Sequence, residues 1–289
     1  MREFIITTDS NSDMDPVYLA DNEVGVIPHY YTVEEEVYGD GRELSNQEFY
    51  DAMRAGKKTT TMASNPAVIL ERFEAYAKQG KDILHISFSS ELSCAYNNIV
   101  NCANEILESY PEMKIIVIDT LSASLGEGIM IRKAIEMKKE GKTLEETADW
   151  IREYCPYINV QFTVDNLDYL YRGGRLSKSS ALLGTVINIK PILYVNKEGK
   201  LVALSKVRGR KKSLTTLVDN MEERLGEFRD KQIFVGVVHG DCEEDAKYIA
   251  NMITERFGYT DIVIRPIGPS IGAHSGPGTI GIVFMGDLK

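Results

Sequence analysis

Over the first 155 residues, short runs of aliphatic and β-branched side chains alternate with longer stretches whose apolar positions recur at helical spacing. Residues 4–8 predict a strand that runs into the polar turn Asp9-Ser10-Asn11-Ser12-Asp13, and residues 24–31 predict a second strand, rich in β-branched and aromatic side chains. Asn65 stands directly before Pro66, a capping residue ahead of a proline suited to the first helical position, and a helix follows over 67–79. A strand at 83–87, a helix over 93–109, a strand at 114–118 and a helix over 124–140 continue the alternation. This pattern predicts a parallel sheet covered by helices on both faces, with ligands held beyond the carboxyl ends of its strands.

Thr143 and Glu146 have capping-box spacing for a helix that runs to about residue 154. We place a domain boundary after Cys155, giving residues 1–155 and 156–289. The second part mixes strands at 159–164, 190–196, 201–207, 233–238, 262–266 and 279–284 with helices near 166–172, 178–187, 210–226 and 243–256. Residues 195–201 read as a hairpin turn, so the second sheet is expected to be partly antiparallel.

Composition narrows the class. The chain has 289 residues, 43% hydrophobic and 26% charged, which is a globular balance. No run of apolar residues is long enough for a membrane helix, and the N-terminus lacks the pattern of a secretory signal, so a cytoplasmic location is expected. Cys94, Cys102, Cys155 and Cys242 lie far apart, which argues against a zinc site and against a disulfide framework. The net charge of −10 opposes generic nucleic-acid binding. Charge is also uneven: residues 1–150 hold 14 Lys/Arg against 27 Asp/Glu, whereas residues 151–289 hold 19 against 16. That asymmetry is a second sign of two domains with different surfaces.

Phosphate-loop, nucleophile-elbow and zincin motifs are missing, and Gly126-Glu127-Gly128 has Ile131 where a dinucleotide fingerprint needs glycine. His239-Gly240-Asp241 reads best as a strand-to-helix turn with Asp241 as the cap, and His29 and His85 as satisfied core histidines. Three hydroxyl-rich segments, 9–13, 59–65 and 87–93, fall near the expected carboxyl edge. There they serve either as ordinary caps or as an anion site built from hydroxyls and helix N-termini. Residues 267–279 place four glycines and two prolines around His274, a loop composition that lets backbone approach a ligand closely. Arg172 and Arg175 flank Gly173-Gly174, as either an exposed anion-binding fork or a helix end. Residues 197–212 carry seven basic side chains, either a solvated hairpin face or a docking surface for an acidic partner.

These segments together resemble the DegV family of bacterial lipid-binding proteins, which includes the fatty-acid-binding subunits of bacterial fatty acid kinase. Asp9-Ser10-Asn11-Ser12-Asp13 is similar to the family's D-S-x-S-D, and Ser89-Ser90-Glu91-Leu92-Ser93-Cys94-Ala95-Tyr96 to S-S-x-L-S-G-T-Y. Asp119-Thr120 stands at the D-S of the family's V-x-D-S. Arg172-Gly173-Gly174-Arg175-Leu176-Ser177, followed by Asn188-Ile189-Lys190-Pro191-Ile192-Leu193, resembles K-G-G-R-I-S and N-I-K-P-I-L. Gly272-Ala273-His274-Ser275-Gly276-Pro277-Gly278 resembles G-A-H-T-G-P-G. Two departures lie beside the expected head-group site: Cys94-Ala95 where the family has G-T, and Thr61-Met62-Ala63-Ser64-Asn65-Pro66 where it has T-S-Q-P-S-P.

The resemblance implies an α/β protein of two domains, a parallel sheet flanked by helices and a second domain with a mixed sheet, holding a long-chain fatty acid between them. It implies that Thr61, Ser93 and His274 bind the carboxylate, and that Arg175, outside the tail pocket, contacts a kinase or the new phosphate. The chain would not itself catalyse and would use neither cofactor nor metal. It would present the carboxylate to an ATP-dependent kinase subunit for acyl-phosphate formation in phospholipid metabolism, with at most transient membrane contact. Two alternatives stay open: a hydrolase of acyl or phosphoryl esters using Ser93 and His274, and a lipid sensor without a kinase partner.

Overall fold

The computed structural model describes residues 2–177 and 188–289. The helix expected near 178–187 lies outside these residues. Among the described residues, thirteen strands form three sheets. In chain order they are β1 (Phe4–Asp9), β2 (Gly25–Ile27), β3 (Tyr30–Val33), β4 (Glu36–Tyr38), β5 (Thr59–Met62), β6 (Asp82–Ser87), β7 (Ile115–Asp119), β8 (Ile158–Thr163), β9 (Ile189–Val195), β10 (Leu201–Arg208), β11 (Val235–His239), β12 (Ile262–Pro266) and β13 (Ile280–Met285). The first sheet has order β2-β1-β6-β7 and is parallel throughout. The six-stranded sheet, order β10-β9-β8-β13-β11-β12, is mixed: only β11 and β12 run parallel, and β9–β10 is the expected hairpin.

Helices cover both faces of the parallel sheet. On one side Pro66–Lys78 and Ala95–Ser109 bury Ile69, Phe73, Ile99 and Ile106 against Ile5, Ile27 and Ile83. Asn65 accepts a hydrogen bond from the Ala67 N–H and Pro66 opens the helix, as its sequence requires. On the other side Leu125–Lys139 is buried nearly all round, because it lies between the two larger sheets. Its Leu125, Ile129 and Ile131 share one core with Ile6 and Ile86 of the first sheet and with Val160, Val238 and Val283 of the second. The glycines of this helix serve close packing. A Cβ on Gly126 would come within 2.1 Å of Ser122 Oγ, and one on Gly128 within 2.7 Å of Met14 Sδ. The helix Leu144–Tyr154 starts with the complete Thr143–Glu146 capping box.

The third sheet, order β4-β3-β5, departs from the sequence reading. The single strand expected over 24–31 is two strands in different sheets, divided at Pro28-His29, where proline removes a ladder donor. The hydroxyl-rich segment 59–65 is not a bare loop, since its first four residues pair with β3. Asp241 does not cap the helix Glu243–Phe257: its backbone is left-handed (φ 56°) and its carboxylate pairs with Arg54 instead. Finally, the glycine-rich segment 267–279 is not an open loop, because Pro269–Ser275 is helical. Pro269 presets the first helical φ, and Ala273 is buried in a cluster with Phe49 and Tyr50. No helix among the described residues is long and apolar enough to cross a membrane.

Candidate functional site

The carboxyl ends of the first sheet, the strand β5 and the hairpin β9–β10 enclose a cavity of about 180 Å³. Phe88, Leu92 and Ala123 line it from the loops of the first sheet, and Val160, Phe162, Val195, Leu201 and Val238 from the second. The hairpin is anchored over the opposite loops: Ser89 Oγ donates to the Gly199 carbonyl at 2.9 Å, and Lys200 pairs with Glu91 at 3.4 Å. Gly199 has φ +82°, and a Cβ there would reach within 2.3 Å of Ser89 Oγ. A tight glycine turn is therefore what lets the two sheets close over this space.

Thr61, Ser93, His274 and Arg175 all line the cavity. Thr61 sits opposite Tyr31 in the β3–β5 ladder. Strand alternation turns Thr60 outward to share a 2.7 Å hydrogen bond with Thr32, and turns Thr61 inward. Thr61 Oγ1 and His274 Nε2 share a hydrogen bond of 2.8 Å. The helix bearing His274 is seated tightly, since a Cβ on Gly272 would lie 2.6 Å from the Tyr50 hydroxyl oxygen. Gly173 abuts the other side of the imidazole, where a Cβ would lie 2.1 Å from Nδ1. Burial, with the Arg175 charge assisting, pushes the His274 pKa down to about 4. The ring is thus neutral at neutral pH. When its Nε2–H donates to Thr61, the threonine O–H is free to donate to a third group. Ser93 Oγ accepts from the Ala95 N–H at 3.2 Å at the start of Ala95–Ser109, leaving its own proton to donate.

Arg175 was expected outside the tail pocket, but it borders the same cavity as the other three. Gly173 and Gly174 end the helix Asp168–Arg172, and Gly174 (φ +72°) turns the chain back. Arg175 then donates from Nε to the Leu92 carbonyl (2.9 Å) and from Nη1 to the Gly173 carbonyl (2.6 Å). Burial lowers its pKa from the usual value. The basic stretch 197–212 is divided in use: Lys200 pairs with Glu91, Arg210 pairs with Asp245, and Lys206, Arg208 and Lys211 are exposed.

A second polar group lies beneath the first strand's end and turns inward. Asp9, Asn11, Asp13 and Glu127 are buried. Asp9 accepts from the Phe88 and Asn11 N–H groups and lies 3.6 Å from His29. Thr8 donates to Glu127, and Ser124 donates to Asp13. Burial raises the pKa of all three acids, opposed at Asp9 by His29 and at Asp13 by the Ser124 and Gly268 hydrogen bonds. The two core histidines are only half satisfied. His29 Nδ1 meets Asn11 and His85 Nδ1 meets Thr7, while the Nε2 of each has no hydrogen-bond partner among the described residues.

Asn11, His29 and Cys94 also line the cavity, beyond the four site residues that the resemblance implies. The signal for Cys94 was present, as it stands in a family position normally held by glycine. His29 carried none, because a histidine beside an apolar strand reads the same whether it faces core or ligand. The hydrolase alternative needs Ser93 and His274 in contact, whereas the hydrogen-bond partner of His274 among the described residues is Thr61. Among the described residues no group of three or more His, Cys, Asp or Glu side chains is placed to hold a metal ion.

A family model described as an uncharacterised protein of the DegV family matches residues 3–287. A DegV domain-containing protein of Clostridium perfringens is 40% identical over 291 aligned positions, spanning 100% of this chain and 99% of that protein. A DegV family protein of Ruminococcus gnavus, solved with vaccenic acid, superposes with a TM-score of 0.87 at 26% identity, covering 97% of this chain and 99% of the other. A Thermotoga maritima protein, whose structure is described as revealing a fatty acid binding function, superposes with a TM-score of 0.83 at 28% identity, covering 99% and 100%.

Proposed function

The chain belongs to the DegV family, and from that premise we propose that it holds one long-chain fatty acid and presents its carboxylate to a partner kinase. The observation that carries this reading is the sorting of the cavity wall. Aliphatic and aromatic side chains form most of it, while Thr61, Ser93, His274 and Arg175 supply the donors for one anionic head group. In this reading residues 1–155 contribute the Thr61 and Ser93 loops, and residues 156–289 contribute His274, Arg175 and the strands facing the tail.

The energetics divide in the same way. At ~0.8 kcal/mol per buried CH₂, a tail of about 16 carbons contributes on the order of 12 kcal/mol before ordering costs. A carboxylate taken out of water needs several donors to offset its desolvation, and hydroxyls at Thr61 and Ser93 with a cation at Arg175 provide them. The carboxylate oxygen would attack the terminal phosphorus of ATP held by the separate kinase. One O–P bond forms, the bond to the ADP oxygen breaks, and the monoanionic carboxylate becomes a dianionic acyl phosphate. Arg175 would contact the kinase or that new phosphate.

Denaturing extraction of the folded protein followed by mass spectrometry tests the reading. One stoichiometric fatty acid is expected. No co-purified lipid, in a protein that also fails to take up added fatty acids, would overturn it.

A further inference from the structure

A second cleft, of about 520 Å³, meets the apolar cavity at three shared side chains: Thr61, Arg175 and His274. Its character is opposite. Lys57, Lys58, Arg172 and Arg175 line it together with Thr59 and Thr60, and no carboxylate among the described residues does. In a chain of net charge −10, four cations around one cleft without an acid is an uneven distribution. None of the four forms an ion pair among the described residues, although most exposed lysines and arginines elsewhere do. The nearby Glu34 carboxylate is engaged by the Lys58 backbone N–H at 2.7 Å. Arg172 is exposed, and its guanidinium lies over the Tyr169 ring, the carbon 4.9 Å from the ring centre, so one face rests on the ring.

One carboxylate at the Thr61–His274 pair, already served by Arg175, does not account for three further unpaired cations around the adjoining space. We infer that this cleft is a phosphate subsite, taking a phosphate group joined to, or about to be joined to, the ligand head group. The inference rests on the fatty-acid reading for its position and on the cleft's own lining for its chemistry. A phosphate dianion gains more than a carboxylate from several cations, because each attraction scales with the charge held. Lys57 and Lys58 act as mobile point charges and Arg172 as a planar fork, a combination suited to phosphate oxygens that arrive from more than one direction.

The phosphate has two possible sources: an acyl phosphate whose tail fills the apolar cavity, and the terminal phosphate of a nucleotide donor. Titration calorimetry on the full-length chain separates them. Three probes are used: palmitate; palmitoyl phosphonate, whose C–P bond resists hydrolysis; and the nucleotide AMP-PNP without lipid. They are compared in the parent and in a triple variant, Lys57→Gln, Lys58→Gln and Arg172→Gln, which keeps the side-chain stems. Palmitate affinity is expected to stay within about twofold, and the parent's preference for the phosphonate over palmitate to fall about tenfold. AMP-PNP binding that the triple variant loses would support the site with the donor as its source. An unchanged phosphonate preference, with no AMP-PNP binding lost, would overturn the inference. Failure of palmitate to bind the parent would instead overturn the fatty-acid reading. The cleft would then stand or fall on whether inorganic phosphate and AMP-PNP bind the parent and are lost in the triple variant.

Discussion

Two polar segments at the carboxyl edge of the first sheet look alike in sequence and do opposite things. Residues 9–13 and residues 87–93 both close an apolar strand, and both combine serines with acid, two aspartates in the first and Glu91 in the second. In the first, Asp9 and Asp13 are buried and bonded to Phe88, Asn11, Ser124 and Gly268, so their carboxyl groups are consumed inside the fold, while Asn11, bonded to His29, reaches the cavity wall. In the second, Ser89 holds the hairpin, but Ser93 faces the cavity with a proton left to donate. What separates a structural polar loop from a binding one is how many hydrogen bonds remain unmade. Composition does not reveal that, because both uses require the same residue types.

The sharpest way to break this contrast is to damage the inward loop. Asp9→Ala removes the acceptor of two backbone N–H groups and the carboxyl group beside His29, all buried. A loss of roughly 3 kcal/mol or more is expected from urea unfolding, since donors left unpaired in a dry interior carry their full desolvation cost. A loss below about 1 kcal/mol would show that water replaces the carboxylate and that the loop is not consumed by the fold.

The binding side should respond in the reverse sense. Thr61→Val keeps the shape of the side chain and its β-strand preference but leaves His274 Nε2 without its partner, so a stability loss of only about 1 kcal/mol is expected. Removing a donor to a charged head group should weaken fatty-acid affinity by about tenfold to a hundredfold, measured by displacement of a fluorescent fatty acid. An unchanged affinity together with a large stability loss would place Thr61 with the inward loop rather than with the site.

Much of the frame was legible, and the reasons are local. The Thr143–Glu146 box, the Asn65-Pro66 start and the short apolar runs that form the strands of the second sheet each depend on residues within a few positions of one another. The small sheet of β3, β4 and β5 was not legible. Its strands are three or four residues long, β5 is three threonines and a methionine, and its pairing partner β3 lies about thirty residues upstream. The helix around His274 was hidden for a related reason. A segment with four glycines reads as open chain, and it is helical here because Pro269 starts it and Phe49 and Tyr50 receive Ala273. The site residues themselves came from the resemblance. Their convergence depends on two sheets closing over one space, which no single stretch of sequence encodes.

The smallest expected effect concerns protonation within the inward loop. Burial raises the Asp13 pKa to about 7 from 3.8, against the lowering pull of Ser124, Gly268 and Arg265. Folded Asp13 therefore keeps a proton that the unfolded chain releases above pH 3.8. Its stability contribution is full below that value and declines as pH rises towards 7. His274 and His85, lowered to about 4 and about 3, act in the other direction: they cost stability as pH falls through about 6.5. Asp13→Asn supplies a neutral group of the same shape, able to accept from Gly268 and donate to Ser124, at a left-handed position (φ 52°) that asparagine tolerates. Unfolding at pH 6 and pH 7.5 should show the variant gaining about 1 kcal/mol on the parent between the two values, since about one pH unit of the parent's loss lies between them. A variant that is several kcal/mol weaker at both values would mean that Asp13 works as a buried anion. The inward loop would then be held by charge, and its difference from the binding loop would lie in electrostatics rather than in hydrogen bonds already made.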